Sequence, residues 1–191
     1  MEVKKFNEYN TDRKFAIYCD MDGCLTDFVK RFEEIKSNKR SLDPRSYDKL
    51  HGKYSIWKLI GAEGIQWWSE MEWMPDGKVL WDYVKQYDPT ILSAPSRHPD
   101  SAKGKMIWIN RELGIKQVSA TVSPKNHRWD EDSRVILNSQ KYMFNKRYEN
   151  SILIDDTPNQ IDNWVNNGGM GILHTSAEDT IFKLEEIINN I

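Results

Sequence analysis

The sequence predicts an α/β protein: a parallel sheet with helices on both faces, plus a small, mainly helical cap insertion. Three observations predict it. Short apolar runs end abruptly in polar residues at Asp20, Ser93 and Asp155. Helix-like segments alternate with those runs, the pattern of a parallel sheet. The interval from Asp20 to Ser93 is 73 residues by subtraction, whereas one strand–helix–strand unit needs only about 30.

Each element follows in order. Phe15-Ala16-Ile17-Tyr18-Cys19 suits a strand covered on both faces, although periodicity alone leaves a buried helical piece open. Asp27 is placed to cap a helix whose Phe28, Phe32 and Ile35 fall at helical spacing. Residues 37–53 are polar, hold Pro44 and Gly52, and read as loop or weak helix. Residues 54–74 are rich in aromatics, punctuated by Gly61 and Gly64. A helix near Lys78 to Gln86 and a strand ending at Ser93 follow, then a helix near Asp100 to Leu113 closed by Gly114. Val118 to Val122, Val135 to Leu137 and Ser151 to Ile154 are strand candidates. Thr157-Pro158-Asn159-Gln160 has capping-box spacing with proline at the first helical position. That helix should stop near Gly168-Gly169, before a short strand at Gly171 to Leu173 and a helix near Asp179 to Asn190. Residues 1–27 and 75–191 are thus assigned to a Rossmann-like core, and residues 28–74 to the insertion. The insertion holds Trp57, Trp67, Trp68 and Trp73.

Composition sets bounds on function. The chain has 191 residues, 27 basic and 29 acidic, for a net charge of −2. That balance shows no extended nucleic-acid surface. A content of 39% hydrophobic and 12% aromatic residues argues against disorder. No run of 18 apolar residues exists to cross a membrane. The amino-terminal MEVKKFNEYNTDRK has no apolar core and does not resemble a secretory signal. Two cysteines cannot make a disulfide framework; Cys19 and Cys24 read as small buried hydrophobes. The expectation is a soluble cytoplasmic protein without a membrane partner, and a homodimer is compatible with it.

The acidic strand ends carry the chemistry. Asp20 and Asp22, two residues apart and followed by Gly23, suit a nucleophile and a proton donor for phosphoryl transfer. A phosphate dianion meeting several carboxylates needs a hard divalent cation, and magnesium prefers oxygen ligands. Asp155 and Asp156 at another strand end would complete such a site. Ser93 could hydrogen-bond phosphoryl oxygens, and a lysine could offset growing charge. Taken singly, each piece has a plainer reading. Asp-x-Asp-Gly is a common turn, Asp155-Asp156 a helix-start pair, and Ser93 a loop hydroxyl.

The motifs are also similar to a known set. FAIYCDMDGCLTDF at 15–28 resembles the first motif of the haloacid dehalogenase-type superfamily, ILSAPS at 91–96 its second and ILIDDTPNQI at 152–161 its fourth. Within it, the first and fourth motifs look most like those of 5'(3')-deoxyribonucleotidases. The resemblance implies Asp20 as nucleophile and Asp22 as acid/base. It implies magnesium held by Asp20, Asp155 and the backbone carbonyl of Asp22, with Asp156 auxiliary and Ser93 on the phosphoryl group. Lys141, Lys146 and Lys125 compete for the motif lysine; Lys141 is favoured because it follows the Val135–Leu137 strand much as the family lysine follows its strand, with Lys146 next. One departure is Ala94, where the nucleotidase-like second motif carries a serine and one phosphate contact is lost.

The expected substrate is a small phosphorylated compound, a nucleoside monophosphate by that resemblance. Phe28 and the insertion tryptophans, Trp68 among them, offer flat surfaces for a base; the plainer reading is that they form the insertion's own core. Arg97 and His98 follow the second motif and could reach an anion. Phe28, Ala94, Trp68 and Arg97 are therefore the substrate-binding candidates. The alternatives are another small phosphoester, a polynucleotide end, or a non-catalytic binding module of the same fold. Lys125-Asn126-His127-Arg128 reads as a solvated loop.

Overall fold

Strands β1 (Ala16–Cys19), β2 (Thr90–Ser93), β3 (Val135–Leu137), β4 (Ser151–Asp155) and β5 (Met170–Leu173) form one sheet in the order β3-β2-β1-β4-β5. Every pairing is parallel. These features come from a computed structural model that describes residues 15–117, 120, 133–147 and 149–191, of which 146 and 147 by backbone alone. The expected strand at 118–122, Ala120 apart, and the Lys125–Arg128 segment lie outside the described residues.

The strands are apolar because both sheet faces are covered. All four residues of β1 and all five of β4 are buried. Side chains alternate between faces. Ile17, Cys19, Ile91, Val135, Ile152 and Ile154 join one apolar cluster. Tyr18, Leu92, Ile136 and Leu153 join the other, with Phe144 and Trp164.

The strand order reverses at β1, since β2 lies on one side of it and β4 on the other. In open parallel sheets the crevice at such a switch point, beyond the carboxy ends, is where ligands bind. Register then does the positioning. Cys19 lies opposite both Ile91 and Ile154, and the Asp20 amide donates to the Ile154 carbonyl at 2.9 Å. Asp20, Ser93 and Asp155 therefore leave the sheet on one edge.

Eight α-helices surround the sheet among the described residues: α1 (Phe28–Glu33), α2 (Pro44–His51), α3 (Ser55–Glu63), α4 (Ile65–Ser69), α5 (Gly77–Val84), α6 (Pro99–Trp108), α7 (Pro158–Asn166) and α8 (Ala177–Asn189). Asp27 caps α1 as expected, accepting from the Lys30 amide at 2.9 Å.

Three details differ from the sequence expectation. α2 is a formed helix within the 37–53 stretch, because Asp43 accepts from the Arg45 and Ser46 amides and Pro44 occupies the first turn. Gly61 does not interrupt α3; it faces the His98 ring, which leaves little room for a side chain. α7 starts where the capping box places it, yet the reciprocal bonds are absent. Thr157 bonds to Asp156, and Gln160 donates to the Ser139 carbonyl.

Residues 28–74 form α1 to α4 and do not build a separate apolar core. Phe32, Ile56, Ile60, Trp67, Trp68 and Met71 belong to the same cluster as the sheet residues. α4 sits close on α6: a Cβ at Gly104 would overlap the Trp68 Cβ and the Ile65 carbonyl. The Trp108 indole donates to the Met71 carbonyl at 2.8 Å. No described helix is long and apolar enough to cross a membrane.

Candidate active site

The turn after β1 puts its acids in place. Gly23 adopts φ +82°, a left-handed conformation, and any Cβ there would collide with the Asp156 carboxylate. The chain then folds back, with Leu25 and Thr26 amides donating to the Met21 carbonyl at 2.8 and 2.9 Å.

Two adjoining groups of side chains result. In the first, Lys141 is 1% exposed and lies 2.9 Å from Asp20 Oδ1 and 2.6 Å from Asp155 Oδ2. Asp20 Oδ1 also accepts from the Met21 amide at 2.7 Å, and Asp155 Oδ1 from the Thr157 amide at 2.9 Å. Asp156, at the exposed rim, completes a set of three acids whose ligand atoms lie within 4.8 Å of one another. Lys141 begins the 3-10 segment Lys141–Arg147 that follows β3. The Lys146 side chain lies outside the described residues.

Electrostatics show a shortage of positive charge. Burial, then repulsion from Asp20, pushes the Asp155 carboxyl up to about 7 despite Lys141. Burial alone would lower the Lys141 ammonium, but the Asp20 and Asp155 carboxylates outweigh it and hold Lys141 above its ordinary range. One buried ammonium among three carboxylates leaves room for a cation. The all-oxygen donor set fits a hard ion such as magnesium.

The second group holds Asp22 and Ser93. Asp22 is not among the clustered acids. Its Oδ1 accepts from the Thr26 hydroxyl at 3.0 Å and its Oδ2 from Lys105 at 2.5 Å. Lys105 also reaches Ser93 Oγ at 3.0 Å. Neither Lys105 nor Thr26 stands out in the sequence. The available signal was the spacing Ser101, Gly104, Lys105, Trp108, which is one face of a helix; all four are buried.

The aromatic candidates assemble as well. Phe28 meets Trp67 edge-on at 5.1 Å and Trp68 at 6.2 Å. Trp57, 39% exposed, stacks at 13° over Trp68, whereas Trp68 is buried. Trp73 lies elsewhere, against Trp108 and bonded to Glu112. Ala94 is half-buried beside Ser93. Arg97 is exposed, and His98 is occupied at the start of α6, accepting from the Asp100 amide. Cys19 and Cys24 are fully buried, and burial pushes both thiols up, away from reactivity.

No protein-family model matches the chain, and no curated protein matches it. Similar solved structures include HAD-superfamily hydrolases. One is a HAD family hydrolase from Deinococcus radiodurans with bound phosphate and sodium, at 10% identity and TM-score 0.47, covering 82% of this chain and 78% of that one. Another is a HAD hydrolase of family IA from Entamoeba histolytica, at 14% identity and TM-score 0.48, covering 90% and 88%. A hydrolase from Streptococcus pneumoniae gives a TM-score of 0.50 at 11% identity, covering 92% of this chain and 99% of that one. That likeness shows the fold, a Rossmann-like α/β sheet with surrounding helices.

Proposed function

We propose that the chain is a magnesium-dependent phosphomonoesterase that works through an aspartyl phosphate, with nucleoside monophosphates as substrates. The observation that carries this reading is the meeting of Asp20, Lys141 and Asp155 within 2.9 Å contacts at the switch point of the sheet. Asp22 and Ser93 stand beside them.

Asp20 Oδ1 is held by the Met21 amide and Lys141, which leaves Oδ2 to attack phosphorus. As that P–O bond forms, the bond to the leaving oxygen breaks, and Asp22, entering the step with a proton on Oδ1 while Oδ2 stays with Lys105, supplies the proton. Asp22 then takes a proton from water, whose oxygen attacks phosphorus, frees Asp20 and releases phosphate. Ser93 donates to a phosphoryl oxygen, and Lys141 offsets charge that develops there. Asp20, Asp155 and the Asp22 backbone carbonyl would hold magnesium, with Asp156 assisting. The bound ion supplies the positive charge that admits a phosphate among carboxylates.

The nucleotide part rests on the motif resemblance and on the rings of Phe28 and Trp57, which buried Trp68 backs from beneath. Residues 28–74 serve here as a cap that carries those rings, with base stacking worth about 1–3 kcal/mol. Turnover of a substrate panel with magnesium tests both parts. Deoxyribonucleoside monophosphates should give the highest kcat/KM, above sugar phosphates and polynucleotide ends. Asp20→Asn should lose activity by about 10⁴-fold or more while staying folded. Preference for a sugar phosphate would overturn the nucleotide reading alone; a fully active Asp20→Asn would overturn the mechanism.

A further inference from the structure

Lys105 belongs to no motif used above, yet it touches both groups of the second cluster. Its side chain is 0% exposed, on a helix that follows β2. A buried ammonium is costly unless every donor finds a partner. Here the partners are Asp22 Oδ2 at 2.5 Å, Ser93 Oγ at 3.0 Å and the Trp68 ring, whose centre is 5.6 Å away.

An ammonium has donors only, so Ser93 must accept from it. The Ser93 hydroxyl proton is then directed away from Lys105. Asp22 is held at both oxygens, one by Lys105 and the other by the Thr26 hydroxyl. One charge thus sets the direction of a hydroxyl and the place of a carboxylate. The setting depends on α6 staying where α4 fixes it, since Gly104 and Trp108 of the same helix make the close contacts to α4 and Met71.

We propose that Lys105 is a positioning residue: it aims the Ser93 hydroxyl at the phosphoryl group and fixes Asp22 beside it. This inference rests on the phosphatase reading above, and the test separates the two. Orthovanadate is titrated calorimetrically, with magnesium present, into the wild type, Lys105→Met, Ser93→Ala and the double variant. Each single variant should bind about tenfold more weakly, a charged hydrogen bond being lost or misdirected. The double variant should also lose about tenfold rather than about a hundredfold, because both changes remove one interaction. A merely structural lysine would give losses that multiply. Lys105→Met should further lower kcat on p-nitrophenyl phosphate more than Ser93→Ala does, since it releases Asp22 too. Should Lys105→Met not fold, Lys105→Gln serves in the same cycle. Wild-type binding with an unaffected Lys105 variant, or multiplying losses, overturns the inference alone. A wild type that binds no vanadate overturns the phosphatase reading and this inference together.

Discussion

Asp155 is the residue whose setting most asks for a cation. Burial first, and then repulsion from Asp20, push its carboxyl up to about 7 from the ordinary 3.8. A raised acid binds its proton more tightly in the folded chain than in the unfolded one. Between about pH 4 and pH 7 the folded state therefore holds more protons, so this group's contribution to stability falls as pH rises, and the penalty is complete above about 7. A bound divalent ion relieves that penalty. The gain in melting temperature on adding magnesium, relative to EDTA, should therefore grow from pH 5 to pH 7. His174 has its pKa lowered by burial and acts in the opposite direction, but it is common to both conditions and cancels. A magnesium gain that is flat or shrinks over that range would contradict the account. Asp20, Asp22, Ser93 and Asp155 stood out as candidates because each ends or follows an apolar strand, and Lys141, one of three competing lysines, by its place after β3. The structure brings Lys141 to Asp20 and Asp155, and Asp22 and Ser93 to Lys105. Lys105 itself did not stand out: a lysine inside a helix reads as solvated unless the packing on each face is known.

At the scale of elements, the contact between α4 and α6 holds the aromatic group against the acid/base group. Its tightest point is Gly104, where a methyl group would overlap Trp68 and approach backbone. Backbone cannot swing aside as a long side chain can. Gly104→Ala should cost about 1–3 kcal/mol of stability by overpacking, read as a lower midpoint in urea. It should also lower kcat/KM, since Lys105 is the next residue. An unchanged midpoint would show that α4 yields readily. The five described strands were legible to within about a residue at each end, because β1 and β4, buried throughout, write continuous apolar runs. α2 was underestimated: Asp43 and Pro44 form a sound helix start, but its residues include none that is buried, so no apolar stripe announced it. The capping box at Thr157 marked the helix start correctly, although Asp156 and Ser139 take the side-chain bonds that the spacing suggested.

For the whole molecule, the order β3-β2-β1-β4-β5 brings stretches more than 130 residues apart in sequence to one crevice. The 73-residue interval after Asp20 pointed to added elements between β1 and β2, where α1 to α5 lie, but not to their packing. Trp67, Trp68 and Met71 share the sheet's own apolar cluster, a long-range outcome that local periodicity does not encode. The central claim is that Asp20 and Asp155 serve one cation while Asp20 receives the phosphoryl group. Its most direct test is a crystal structure with magnesium and beryllofluoride. Fluoroberyllate should be bonded to an Asp20 carboxylate oxygen, with magnesium touching both Asp20 and Asp155. Fluoroberyllate bound elsewhere, or magnesium held without Asp155, would contradict it.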